Sequence, residues 1–311
     1  MRILVPIKQV PETSAVKMDE TTGAMVRDGV EAIVNPLDLY AIELALVLRA
    51  QHGGEVIVVS MGPPKAVTAL REALAMGCDQ AVLLSDRAFA GSDTWATARV
   101  LSAAVRKLGD VDLILCGERA TDGDTGQVGP GLAAFLDLPV VSYVSRVESV
   151  TRGAGVSRGA GILPARLAGV SPASGEDGLT SSSDQANGTH HAGETPAPHV
   201  CRVQRMVETG YEVLEITLPG VLTVVKEVAS PRLPTLRGKQ RARQADILTW
   251  SAADLGVDPA ELGLSGSPTR VVKIFKPTVA RKGQKIVAND QASIDAAADK
   301  VVEFLKQRTL L

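Results

Sequence analysis

The sequence predicts an α/β fold in which a parallel sheet is covered by helices on both faces. Three observations carry that prediction. Short apolar runs rich in Val, Ile and Leu recur through the first 150 residues. Segments of helical periodicity separate them. The runs are continuous rather than alternating, as expected of strands buried on both sides. The chain has 311 residues, 45% of them hydrophobic, which is ample for a large core. Aromatic residues are only 3%, so Val, Leu, Ile and Ala must fill that core.

Residues 2–7 (R-I-L-V-P-I) read as the first buried strand. Residues 16–29 read as a hairpin excursion with Thr22-Gly23 at its tip. Asn35-Pro36-Leu37-Asp38 opens a helix. Asn35 suits the N-cap, Pro36 the first helical position and Asp38 the capping-box position. Leu37, Ala41, Leu44, Ala45 and Leu48 recur at helical spacing, and Gly53-Gly54 stop the helix. Residues 55–60, 80–84, 111–116 and 139–145 read as further strands. Helices at about 63–76, from Ser92 or Asp93 to about 108, and at about 127–136 connect them. The arrangement is Rossmann-like. In such sheets ligands bind at the carboxyl ends of strands, near a reversal of strand order. Loops 8–14, 60–64, 85–94 and 117–127 are therefore the candidate binding loops.

Residues 151–199 break the pattern. Gly, Ala, Ser, Thr and Pro dominate, no aromatic residue occurs, and R-G-A-G appears at 152–155 and again at 158–161. This composition buries too little apolar surface to offset chain entropy. It reads as a disordered low-complexity insertion, with a little structure near Ile162 to Leu167, between two parts of one domain, 1–150 and 200–250. Residues 200–207 and 211–218 read as a hairpin across Thr209-Gly210, and 221–225 as another strand. Pro231 and Pro234 precede a basic helix over 237–247. Residues 251–311 read as an arm, extended and basic–apolar over 270–287 and closing in a helix from about Ala292 to Lys306. The segment from 219 on shows no evident core of its own, so a partner would cover it.

The net charge of −2 excludes a general nucleic-acid binder. No run of about 18 apolar residues is present, which excludes membrane insertion by a helix. Met1 to Lys8 enters a strand directly, without the features of a secretory signal. Cys78, Cys116 and Cys201 form no C-x-x-C pair and no disulfide framework, so a cytoplasmic location is expected. His190, His191 and His199 lack an ordered scaffold, and no metal site is assigned. Gly153-x-Gly155-x-x-x-Gly159 has the wrong spacing for a dinucleotide fingerprint. G-x-S-x-G, H-E-x-x-H and Walker A motifs are absent, and no catalytic residue is assigned.

The strongest local signal is G-E-R-A-T-D-G-D-T-G-Q-V-G-P over 117–130, between a buried strand and a helix start. Gly117, Gly123 and Gly126 let the backbone turn and approach a ligand, and amides at the helix start face an anion such as a pyrophosphate. Asp122 and Asp124 would hold ribose hydroxyls or brace the loop. The other reading is an ordinary polar turn with an Asp or Thr cap. Lys8-Gln9-Val10-Pro11 would line the same pocket, although Lys8 alone fits a solvated strand end. Ser60-Met61-Gly62-Pro63 is a strand-to-helix turn. The basic run Arg237, Lys239, Arg241 and Arg243 fits a solvated helix face or a docking surface for an acidic partner.

Together these segments resemble the β subunit of electron transfer flavoproteins, the group that includes the FixA-type subunits. The resemblance rests on K-Q-V-P-E-T at 8–13, V-N-P-L-D-L-Y-A-I-E at 34–43, V-S-M-G-P at 59–63 and C-G-E-R-A-T-D-G-D-T-G-Q-V-G-P at 116–130. L-P-G-V-L-T-V at 218–224 and S-P-R-L-P-T-L-R-G-K at 230–239 extend it. The resemblance implies a heterodimer with an α subunit that holds a redox-active FAD. It also implies a nucleotide site in this chain, holding AMP in simple carriers and a second FAD, reduced by NADH, in electron-bifurcating members. Any NADH oxidation would then need the αβ complex. The bifurcating loop is similar to D-G-D-T-A-Q-V-G-P, from which residues 122–130 differ only at Gly126. Gly126 is expected to free the loop backbone there, and 151–199 to replace a short connection.

The pocket residues implied are Lys8, Gln9, Val10, Asn35, Asp38, Met61, Gly62, Thr94, Gly117, Asp122, Gly123, Asp124, Thr125, Gly126, Gln127 and Val128. Leu37 matches a position that packs towards the α-subunit flavin. Val228–Gln244 matches a segment that recognises a dehydrogenase or oxidoreductase partner, with Leu233 and Leu236 as apolar anchors, and 251–311 would contact the α subunit; the sequence pattern fits equally well with both leucines packed inward and the cations solvated. Two function classes fit the sequence: this electron-transfer subunit, passing electrons to dehydrogenase or quinone- or ferredoxin-linked acceptors, and a stand-alone adenine-nucleotide sensor on the same sheet.

Overall fold

Strand β1 (Arg2–Pro6) sits near the middle of a ten-stranded sheet in the computed structural model, which describes residues 1–12, 17–18, 25–26, 32–152, 166–167, 199–272 and 285–308. A small antiparallel pair follows, β2 (Gln9–Pro11) with β5 (Ala32–Val34). Between them β3 (Lys17–Met18) pairs with β4 (Met25–Val26), the base of the expected hairpin; its tip lies outside the described residues. Helix α1 (Pro36–His52) ends at Gly53, whose φ of +72° suits glycine. Then come β6 (Glu55–Met61), α2 (Val67–Met76), β7 (Gln80–Leu84), α3 (Thr94–Leu108), β8 (Leu113–Gly117), α4 (Val128–Leu136) and β9 (Val140–Arg152). After β10 (Arg166–Leu167) the chain forms β11 (His199–Val207), β12 (Gly210–Thr217) and β13 (Gly220–Val224). Helix α5 (Leu236–Gln244), β14 (Leu248–Trp250), α6 (Ala252–Leu255) and α7 (Gly263–Gly266) complete this unit, which runs to Val272.

The strand order is β10-β12-β11-β9-β13-β8-β1-β6-β7-β14. From β9 to β14 neighbouring strands are parallel, whereas β11, β12 and β10 add antiparallel pairs beside β9. The chain steps outward from β1 to β6 and β7, then returns to β8 on the other side of β1. The order therefore reverses between β1 and β8, the place where such sheets bind ligands.

Alternation along the strands divides the core. Ile3, Val5, Val56, Val58, Leu113 and Leu115 pack with residues of α1, α2 and α5. Leu4, Ile57, Val59, Ile114 and Cys116 pack with residues of α3 and α4. Both sets are apolar, which is why these strands read as continuous runs.

Several elements differ from the sequence reading. Strand β8 starts at Leu113; just before it the Arg2 N–H donates to Asp112 Oδ2 and the Asp112 N–H to the Arg2 carbonyl. Strand β9 runs to Arg152, and His199 opposite it opens β11. Arg166–Leu167 pairs with β12, while 153–165 and 168–198 lie outside the described residues. The basic helix stops at Gln244, and residues 248–250 add an edge strand to β7. Val257 and Leu262, read as part of the arm, are buried with the α3 and α4 layer. In the second unit, 273–311, residues 273–284 lie outside the described ones. Its helix α8 (Gln291–Gln307) opens with a reciprocal Asp290–Ser293 capping box and exposes Ile294, Val301, Val302 and Phe304.

Candidate functional site

The reversal point opens a cleft of about 330 Å³ at the carboxyl ends of β1 and β8. Helix α1 closes one side. Asn35 occupies its N-cap but makes no side-chain cap bond, contrary to the capping expectation. Its amide is committed elsewhere. Asn35 Nδ2 donates to Asp38 Oδ1 and to the Arg119 carbonyl, both at 2.9 Å, and Oδ1 accepts the Thr121 N–H at 3.1 Å. Asp38 Oδ2 accepts the Lys8 N–H at 2.7 Å. These two buried side chains tie the end of β1, the start of α1 and the 117–127 loop together.

Burial pushes the Asp38 carboxyl up to about 7, against the pull of Asn35 and Lys8. A Cβ on Gly117 would collide with the Asp38 carboxylate and stand 2.9 Å from the Leu37 carbonyl carbon, so α1 can approach β8 only at glycine. Cys116 lines the cleft, and burial pushes its thiol up to about 12, so it stays protonated there.

The loop is braced by its own charges. Lys8 Nζ meets Asp122 at 2.7 Å, and Arg119 Nε meets Asp124 at 2.8 Å. These exposed pairs add little stability but fix where the cations sit. Asp124 and Gly126 take φ of +52° and +61°. The departure at Gly126 thus falls on left-handed backbone, which alanine adopts at a cost of about 1–2 kcal/mol.

Two helices begin at the cleft. Asp93 caps α3 by accepting the Ala96 N–H at 3.0 Å, and also accepts the Thr269 N–H and hydroxyl. Burial opposes these bonds, but they hold its carboxyl below the usual range. Thr94 Oγ1 donates to Gln127 Oε1 at 2.9 Å and links the two helix starts. Helix α4 has no side-chain cap, so its leading N–H groups remain available to an anion. A Cβ on Gly129 would stand 2.6 Å from Thr223 Cγ2, so glycine seats this helix start against β13.

Of the expected residues, Lys8, Asp38, Met61, Thr94, Gly117, Gly123, Thr125, Gly126, Gln127 and Val128 line the cleft. The other expected residues do not. Gln9 Nε2 donates to the Lys65 carbonyl, Val10 is buried in β2, and the Gly62 N–H donates to the Leu84 carbonyl. Asn35 lies behind the lining, and Asp122 and Asp124 are turned onto their cations. Ser92, Asp93, Thr97, Leu101, Glu118, Arg119 and Ala120 line it without having been singled out as pocket residues. Thr97 and Leu101 follow Thr94 by one and two helical turns, a spacing visible in the sequence. Among the described residues no group of three His, Cys, Asp or Glu is placed to hold a metal, and no helix is long and apolar enough to cross a membrane.

No residue of the 228–244 segment lines the cleft. Leu233 and Leu236 are 87% and 86% exposed. Arg241 differs from the free cation expected: Nη2 donates to the Leu74 and Cys78 carbonyls at 3.1 and 3.3 Å. Those carbonyls end α2, where a cation satisfies otherwise unpaired acceptors.

A doubly wound sheet with its cleft at the strand-order reversal, and two helix starts facing that cleft, defines the class of nucleotide-binding α/β folds. Comparison with known proteins narrows the class. Residues 22–160 match the electron transfer flavoprotein domain. The chain is 41% identical over 312 residues to the electron transfer flavoprotein subunit beta of Thermoanaerobacterium thermosaccharolyticum, with 100% of both chains covered. It is 39% identical over 312 residues to the caffeyl-CoA reductase-Etf complex subunit CarD of Acetobacterium woodii, again with 100% of both covered. It is 38% identical over 317 residues to Protein FixA of Azorhizobium caulinodans, covering 100% of this chain and 96% of that one. The chain belongs to the electron transfer flavoprotein β-subunit family.

Proposed function

We propose that this chain pairs with an α subunit and binds FAD in the cleft between β1 and β8, where NADH delivers electrons as in bifurcating members of the family. The observation that carries the reading is the 117–130 loop, which runs from β8 to an uncapped α4 start at the point of strand reversal. The residues fit a nucleotide. Leading amides of α4 face a phosphate, Lys8 adds a cation at the mouth, and Gly123 and Gly126 leave room for close approach. A flavin bound here supplies the redox chemistry. The chain's own residues orient it: Thr94 and Gln127 hold the two helix starts at fixed spacing, and Met61, Leu101 and Cys116 keep water from the inner wall. Electrons would pass on to a dehydrogenase or to a quinone- or ferredoxin-linked acceptor, docked at 228–244 through Leu233 and Leu236.

The cleft volume favours a second reading. At about 330 Å³ it lies at the low end for ligand pockets, a size suited to AMP. The loop sequence favours FAD, whose second half would extend beyond the cleft. Identifying the nucleotides released on denaturing the purified αβ complex tests both. Two FAD per heterodimer are expected. One FAD with one AMP would replace the first reading by the second, and no nucleotide beyond the α-subunit flavin would overturn both.

A further inference from the structure

Leu233 stands in solvent on a turn, 231–235, and Leu236 beside it on the first residue of α5; the chain fixes this turn at both ends. On its upstream side Glu43, in α1 and only 6% exposed, accepts three hydrogen bonds from Arg232. The Arg232 N–H and Nε reach Oε2 at 3.0 and 2.8 Å, and Nη2 reaches Oε1 at 2.8 Å. A fork of this kind sets orientation as well as distance. Burial alone would raise the Glu43 carboxyl, but the hydrogen bonds and charge of Arg232 outweigh it and hold the group below its ordinary value. Glu43 therefore stays ionised at neutral pH. Pro231 and Pro234 flank the fork and restrict the backbone on either side.

On the downstream side Thr235 caps α5 by accepting the Gly238 N–H at 2.9 Å. Gly238 lies against the Ala75 carbonyl, where a Cβ would overlap it. Arg71 donates to the Ala242 carbonyl, and Arg241 to the end of α2. Nothing in this scheme uses the two leucines, which the fold instead leaves pointing outward.

We propose that Glu43 and Arg232 are positioning residues for partner docking, holding the 231–235 turn in the shape that presents Leu233 beside Leu236. Ordering of the turn is then complete before the partner arrives, so less entropy is lost on binding. The surface fits a protein with an apolar pocket for the leucines and carboxylates at its rim, opposite Arg237, Lys239 and Arg243. The inference rests on the docking role given above to 228–244.

The test uses the intact αβ complex and the caffeyl-CoA reductase of Acetobacterium woodii as probe, with KM and kcat for electron delivery measured as reductase concentration varies. Leu233→Ala examines docking itself. A rise of about tenfold in KM with kcat kept is expected; an unchanged KM, or no saturable delivery by the unaltered complex, overturns the docking role and this inference with it. Glu43→Gln and the milder Arg232→Lys, which keeps the charge but loses the fork, should each raise KM about threefold or more. Their kcat and nucleotide content should stay unchanged. Combined with Leu233→Ala, they should add almost nothing, because they act through Leu233. If Leu233→Ala raises KM while Arg232→Lys and Glu43→Gln leave it unchanged, or if they add their full effect to Leu233→Ala, docking stands and the positioning role is wrong.

Discussion

Asp38 carries a carboxyl that burial raises from 3.8 to about 7. Between those values the folded chain binds a proton at this position that the unfolded chain has released. Stability from this group is therefore full below about pH 4 and is lost as pH rises through 7. Lys8 and Asp122 are the charges facing it, with the Asn35 amide and the Lys8 N–H. Thermal unfolding between pH 4 and 7 should show this decline, and Asp38→Asn should flatten it, with its largest loss of Tm at the acid end. A slope equal to that of the unaltered chain would rule out Asp38 as its source. At this scale the sequence showed that Asn35 and Asp38 belong together at a helix start. It could not show that both turn away from the cap, because the partners of Asn35, Arg119 and Thr121, lie more than 80 residues away, and Asp38 turns to Asn35 and to the Lys8 N–H at the end of β1.

Among the elements, the long apolar runs and the helices between them were legible because each repeats a period over several turns or pleats. Strand β14 and helices α6 and α7 were not. Each has three or four residues, too few to show a period, and each depends on the sheet edge or on α3 for burial. The bonding of Arg241 was hidden for a related reason: only the end of α2 supplies the carbonyls it meets. Helix α5 is seated there through Gly238. Gly238→Ala should push α5 off α2 and lower Tm by roughly 3–8 °C, as overpacking of about 1–3 kcal/mol implies. The same change should weaken partner docking while leaving nucleotide content intact. An unchanged Tm would show that α5 shifts freely, with no fixed seat.

Over the whole molecule, the cleft was legible as a loop following β8, and the residues of α3 that line it were only partly so. A helix face is chosen by what packs behind it, and that choice appears only when the sheet is assembled. The tract 151–199 is another whole-molecule feature, since Arg152 and His199 are direct neighbours across β9 and β11. Removing about residues 154–196 and closing the gap with a short turn should therefore preserve folding, assembly with the α subunit and nucleotide content. Loss of αβ assembly on gel filtration would show that the tract contributes contacts of its own. The deletion also removes β10, leaving β12 as the outer strand.

Strand β13 lies between β8 and β9, although it follows both in the chain. Strand β9 has β13 and β11 as its neighbours, and both come later. During synthesis, then, β9 emerges with nothing to pair with, and β8 keeps an open edge until residue 224 is made. At about 5–20 residues per second the delay between Arg152 and Val224 lasts several seconds. For that time β8 and β9 each present an unpaired edge towards the place of β13, the condition that invites association with other chains. A protein built in this order carries a gap in its sheet that stays open until its own late strand arrives to fill it.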